Sequence, residues 1–214
     1  MPFAIFINAF ALCLLMQVRW LGHASLQIIT GQHVIYIDPY AGLPDWYVLA
    51  SIVLVSRFDF DHCSVEKIRK IQNDTTRIFG TAAVAREVYP CSVLHVGENI
   101  FVEDVEIVGL PVMRRNKLQD ALSFALIAEK KLVYYLSDSD LTENLENMKP
   151  DLLFVSLDGR NVRAVAAFVS HIAPKLTIPI HWGGNIGTRD DAELLKELVS
   201  TPVQILDVGG QVTI

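Results

Sequence analysis

At 214 residues, 51% hydrophobic and 20% charged, the chain supports one substantial core and is short for two full-sized domains. Its net charge of −6 argues against a broad phosphate-binding face, and so against a nucleic-acid partner, but leaves room for a small anionic substrate in one local basic pocket. The three cysteines, Cys13, Cys63 and Cys91, are odd in number and unpatterned, so neither a disulfide framework nor a cysteine zinc cage is expected, and a reducing cytoplasm is the default location.

Residues 1–15 read as an apolar N-terminal extension. They lack the basic leader and small-residue cleavage site of a secretory signal, and they fall short of the roughly 20 apolar residues of a membrane span. The expectation is a segment that packs on the domain or on a second copy of the chain, giving a homo-oligomer, with Met16 an alternative start; a membrane contact is the weaker reading. A single domain then covers residues 16–214. The runs QVRWL, SLQIIT and HVIYID read as strands, the second and third joined by a turn at Thr30-Gly31-Gln32. After SIVLVS, helical spacing of Val65, Ile68 and Ile71 behind Ser64 predicts a capped helix. TRIFG reads as a strand and TAAVAREVY as a short helix. SVLHVG, NIFVED, VEIVGLPV, ALSFALIAE and KLVYYLSD are read as the strands of a second sheet. In the last third, DLLFVSL, LTIPIHW, VQILDV and QVTI are strand patterns, with helices at 161–173 and 189–200 carrying apolar stripes. Two strand groups with outer helices predict an α/β, four-layer αββα sandwich.

Polar clusters fall where strands give way to loops: His23 with Ser25, Asp38, Arg57 to His62, Asp138 and His181. Aspartates and histidines from separate strand ends are the donors that a divalent ion such as zinc or manganese takes. Ordinary readings compete. His33, His95 and His171 are assigned no function, because a lone histidine beside a turn or strand end is usually hydrogen-bonded or on the surface. Asp138 or Asp140 would equally cap a helix near Leu141, and Asp61 one near Ser64.

VRWLGHASLQI, VIYIDPY, SRFDFDHCS, LVYYLSDSD and IPIHWG, in that order over residues 16–214, resemble the metallo-β-lactamase superfamily. The similarity is greatest to its stand-alone metal-dependent hydrolases, which include ascorbate-phosphate lactonases, and it implies the αββα sandwich. That family's loop reads His-x-His-x-Asp-His. Laid on it, Arg57 and Asp59 replace the first two histidines, while Met113 or Arg114 takes the place of a third, so the first metal position is degenerate. Asp61, His62, Asp138 and His181 match the ligands of the second. The resemblance thus implies at most one bound metal, a mononuclear site, with His23 and Asp38 orienting its ligands through hydrogen bonds.

Extended backbone through this loop would project Arg57, Asp59 and Asp61 to one side, with Arg57 in or near the empty first position. A guanidinium cannot ligate a metal, but its charge offsets the neighbouring acids. The expected activity is metal-dependent hydrolysis of a small ester, lactone or phosphoester, anionic substrates included. Asp59 or Asp61 serves as catalytic base and Arg57 steadies negative charge. The alternative is a catalytically silent relative that binds a ligand or protein partner.

Overall fold

The computed structural model describes residues 15–115, 117–140, 149–183 and 186–214. The extension expected over 1–15 and the helix expected near Leu141 therefore lie almost wholly outside the described residues. Among the described residues thirteen strands form two sheets. In the first the order is β13(Gln211–Thr213)-β1(Gln17–Gly22)-β2(Ser25–Thr30)-β3(His33–Ile37)-β4(Ile52–Val55)-β5(Arg77–Gly80)-β6(Ser92–Val93). The second runs β12(Thr177–Ile180)-β11(Leu152–Ser156)-β10(Lys131–Leu136)-β9(Lys117–Ala128)-β8(Val105–Arg114)-β7(Asn99–Val102). Among the described residues the α-helices α1(Val65–Ile71), α2(Ala82–Glu87), α3(Val162–Ile172) and α4(Arg189–Leu198) add the outer layers of the mixed αββα architecture.

The layers follow from the two-residue period of the central strands. All four residues of β4 are buried, and they divide by parity. Ile52 and Leu54 enter the core between the sheets, whereas Val53 and Val55 pack with Ile68, Ile71 and Val84 of α1 and α2. β11 repeats the arrangement, with Leu152 and Phe154 inside and Leu153 and Val155 beneath α3 and α4. Such strands read as continuous apolar runs because both faces are covered. Burying each large side chain contributes about 1.5–3 kcal/mol. The predicted helices form where the caps allow: Ser64 accepts from the Lys67 amide, Asn161 from Arg163, and Thr188 makes a capping box with Asp191.

Two assignments from sequence need correction. VQILDV is no strand; it makes a single bridge, Val203 with Thr177. SVLHVG contributes only β6, which pairs with β5 in the first sheet instead of joining the second. Met16 is buried and its backbone exchanges hydrogen bonds with Ile214, tying the start of the described chain to its end.

For function, the strand directions matter most. β3, β4 and β5 are mutually parallel, as are β10, β11 and β12. The loops leaving β3, β4, β10 and β12 carry Asp38, Ser56 to His62, Asp138 and His181. Carboxyl ends of parallel strands are the usual place for a site.

Candidate metal centre

The buried Asp38 carboxylate is the centre of the first half of the site. Oδ1 accepts from the Ser56 amide at 2.6 Å, while Oδ2 accepts from Ser56 Oγ at 2.6 Å and Tyr135 Oη at 2.6 Å and lies 2.7 Å from His62 Nδ1. A carboxylate only accepts, so Nδ1 carries the proton and His62 presents a lone pair at Nε2. Burial drives the Tyr135 phenol far above its ordinary range, with the Asp38 charge adding to the effect, so it stays a donor. Ser25 fixes the turn after Asp38: its hydroxyl donates to the Asp38 carbonyl at 2.6 Å and accepts from the Tyr40 and Ala41 amides.

His181 and His23 form the opposite wall. The His181 amide donates to the His23 carbonyl at 2.9 Å, and the two rings lie 3.7 Å apart between centroids. Trp20 Nε1 donates to the same carbonyl at 2.9 Å and packs at a tilt against Trp182, so an aromatic pair supports both histidines. His23, Asp38 and His181 all have left-handed backbones, with φ of 50°, 46° and 61°. Asp and His tolerate this region better than most residues, yet three instances in one site are a concentration of backbone strain of the kind found at functional centres. Gly22, with φ of 115°, supplies the turn that starts it.

Burial pushes His181 down to about 4, with the neighbouring His23 and His62 acting in the same direction, so it is neutral at physiological pH. Both its ring nitrogens are buried and, among the described residues, without a hydrogen-bond partner. His23 is also lowered, chiefly by burial, which outweighs the attraction of Asp61. Asp61 lies 3.2 Å from His23 Nε2; burial raises its carboxyl, but His62 and the hydrogen bond from His23 leave it lowered. Neutral imidazoles and an ionised carboxylate are the protonation states that ligate a metal. His23, Asp61, His62 and His181 offer donor atoms that all lie within 4.8 Å of one another.

Asp138 stands beside this set. Its Oδ2 is 3.4 Å from His62 Nε2 and its Oδ1 3.5 Å from His181 Nε2, and Ser156 Oγ donates to Oδ1 at 3.1 Å. Arg57 Nη2 bonds both Asp138 Oδ2 and His62 Nε2, and Arg57 Nε is 2.9 Å from Asp59 Oδ2. The guanidinium thus sits against two residues expected to hold the retained metal, where the sequence placed it in the missing one. Nor is the loop extended. The Asp59 carbonyl accepts from the His62 and Cys63 amides, winding a turn that separates Asp59, 58% exposed, from Asp61, 26% exposed, which faces His23. Ser64, not Asp61, caps α1. Cys63 is no nucleophile, since burial pushes its thiol up to about 12.

His23 comes closer to the donor set than its expected orienting role required. Tyr135, Ser56 and Ser156 were not anticipated. The signal for Tyr135 was its parity: on β10 it alternates inward with Val133, and a buried phenol needs a partner. Arg114, on β8, donates from Nε to the Asp138 carbonyl at 3.2 Å and from Nη2 to Asp158 at 3.1 Å. With Arg115, Arg160 and Asp140 it lines a cavity of about 640 Å³ beside the site. A second cluster, His33 with Glu103 and Asp104, lies at the opposite end of β3 and has exposed acids.

The signature of the β-lactamase superfamily domain matches residues 17–181. A protein named metal-dependent hydrolase from Caldivirga maquilingensis is 23% identical over 203 residues, covering 86% of this chain and 89% of its own. Another of that name from Saccharolobus solfataricus is 25% identical, covering 92% and 99%. Among solved structures, a metallo hydrolase from the archaeon Ignicoccus hospitalis superposes with a TM-score of 0.80 at 14% identity, over 94% of this chain and 98% of that one.

Proposed function

The chain belongs to the β-lactamase superfamily, and on that premise we propose that it is a metal-dependent hydrolase of a small anionic ester, lactone or phosphoester, working with one divalent ion, zinc or manganese. The observation that carries this reading is His181: a buried, neutral imidazole whose ring nitrogens have no hydrogen-bond partner among the described residues, facing three further donors. Leaving such groups unsatisfied costs about 1–3 kcal/mol each, and a ligand that uses them offsets the cost. Asp61, His62 and His181 are the ligands common to the family pattern and the geometry. Asp138 and His23 compete for the fourth position, since Asp138 Oδ2 is engaged by Arg57.

When bound, the ion supplies a polarised scissile group and a more acidic water. The residues do the rest. Asp38 holds His62 in the tautomer that offers Nε2. Asp59, at the rim, paired with Arg57 and outside the donor set, is the base we propose for the attacking water. Asp61 has that role only if it is not a tight ligand. Arg57, Arg114 and Arg115 line cavities on one side of the site, Arg57 paired with Asp59 and Asp138 and Arg114 with Asp158, and their guanidinium groups are the donors that an anionic substrate would use. A cytoplasmic location accords with the unpaired thiols of Cys63 and Cys91. Among the described residues no helix is long and apolar enough to cross a membrane. The oligomer expected through 1–15 falls on a segment outside the described residues.

The placement of Arg57 against His62 and Asp138 favours one alternative, a metal-free relative that binds a ligand in the same cleft. A panel of carboxylic esters, lactones and phosphoesters, assayed with and without chelator, separates the two. Hydrolysis that needs zinc or manganese and disappears in His181→Ala supports the proposal. Metal content below a tenth of an equivalent, unchanged by added ions, contradicts it.

A further inference from the structure

We infer that Arg57 is a resident cation that competes with the metal for His62 Nε2 and Asp138 Oδ2, so that loading the site requires its guanidinium to leave. This rests on the metal-site reading proposed above and adds a control on it. The His62 tautomer makes the competition direct. With Nδ1 committed to Asp38, the single lone pair at Nε2 accepts from Arg57 Nη2, and it can serve an N–H or a metal but not both. The same Nη2 pairs with Asp138 Oδ2, whose other oxygen is held by Ser156. Arg57 cannot vacate by losing its proton; the side chain has to move.

It has somewhere to go. Arg57 is 12% exposed, and its Nε already contacts Asp59, which is 58% exposed at the rim. Arg57, Phe58, Asp59, Arg114 and Gln119 line an open cavity of about 350 Å³. Swinging about its outer torsions, Arg57 keeps the Asp59 contact while its terminal nitrogens enter that space. Charge dictates the exchange. Asp59 and Asp138 both bear on Arg57, and Asp138 also approaches the His62 and His181 imidazoles; without a cation between them the two carboxylates repel. Arg57 supplies that cation when no ion is bound, and a divalent ion supplies more charge when it enters. The cost is affinity, because apparent binding falls by the fraction of molecules in which the position is open.

The test uses the full-length protein stripped with chelator and titrated with zinc against a chromophoric competitor, with melting followed in parallel. Arg57→Ala, and Arg57→Met as a variant that keeps the bulk, are expected to bind one equivalent at least tenfold more tightly than wild type. Arg114→Ala, which removes a like charge from the rim, should change affinity less than threefold. Without metal the Arg57 variants should melt below wild type, and saturating zinc should raise their Tm by more than it raises that of wild type. Equal affinity in wild type and the Arg57 variants overturns the competition while leaving the metal site standing, as does equal tightening in Arg114→Ala, which would mark a general charge effect. Failure of wild type and of both Arg57 variants to bind zinc overturns the metal reading and this inference together.

Discussion

His62 is fixed through Asp38, whose carboxylate also accepts from the Ser56 amide, the Ser56 hydroxyl and the Tyr135 phenol, so the property His62 brings to the site, a lone pair at Nε2, depends on Asp38 as much as on itself. Asp38→Asn replaces one acceptor oxygen by a donor and puts an N–H against a ring of donors. Partners that orient metal ligands are typically worth about 10- to 100-fold in affinity, and a loss of that size is expected in a competitive zinc titration of the folded variant. An unchanged affinity would mean that His62 is not a ligand. The residues of this centre were legible in the sequence because each follows a strand and has metal-binding chemistry. Their partners were not. Arg57 was recognisable as an intruder in a His-x-His-x-Asp-His pattern, but where its guanidinium goes depends on a turn made by the Asp59 carbonyl. That turn reflects backbone hydrogen bonding, which residue spacing does not encode.

At the scale of elements, the outer helices and the strand ends can be perturbed independently of the chemistry. Leu195 of α4 is fully buried against the second sheet. Its truncation in Leu195→Ala should cost about 2–5 kcal/mol in urea unfolding while leaving metal stoichiometry at the wild-type value. The capping box at Thr188 is smaller in effect, and Thr188→Ala should cost about 1 kcal/mol. Asp151, at the entry to β11, accepts from the Leu132 amide at 2.8 Å and from Lys175 at 2.8 Å. Although burial works against ionisation, Lys175 and the Leu132 amide leave its carboxyl below the ordinary value. A lowered folded pKa adds stability that is complete above the unfolded value of about 3.9 and is lost as pH falls through the folded one. Asp151→Asn should therefore be less stable than wild type by about 1–2 kcal/mol at pH 7, with the gap closing below pH ~4 in denaturant titrations. A gap that persists at low pH would assign the effect to packing. The periodicities that set these elements were readable wherever a helix had both a cap and an apolar stripe. VQILDV failed because its apolar run serves a loop that bridges to Thr177 at one point, and a run of that length does not distinguish a strand from a buried loop.

For the whole molecule, the two sheets meet over a shared core, and the loops after β3, β4, β10 and β12 reach one rim above it. The family match, the αββα layers and the donor set point to one functional centre on this rim. A bound ion also links the two sheets, because His23, Asp61 and His62 come from the first and His181 from the second. Zinc or manganese at 100 times its dissociation constant should then stabilise the protein by about 2.7 kcal/mol, seen as a higher Tm that chelator reverses. The fold was legible as a whole because two-sided apolar strands leave few arrangements other than a covered double sheet. The occupant of the rim was not, since the same aspartates and histidines can close around an arginine or around an ion.

The most direct test is an anomalous difference map at the zinc edge from crystals of the full chain grown with zinc. One peak is expected, about 2.0–2.2 Å from Asp61, His62 and His181 and from either His23 or Asp138, with the Arg57 guanidinium displaced toward Asp59. A crystal that shows no peak among these residues, with Arg57 still seated on His62 and Asp138, would contradict the metal reading.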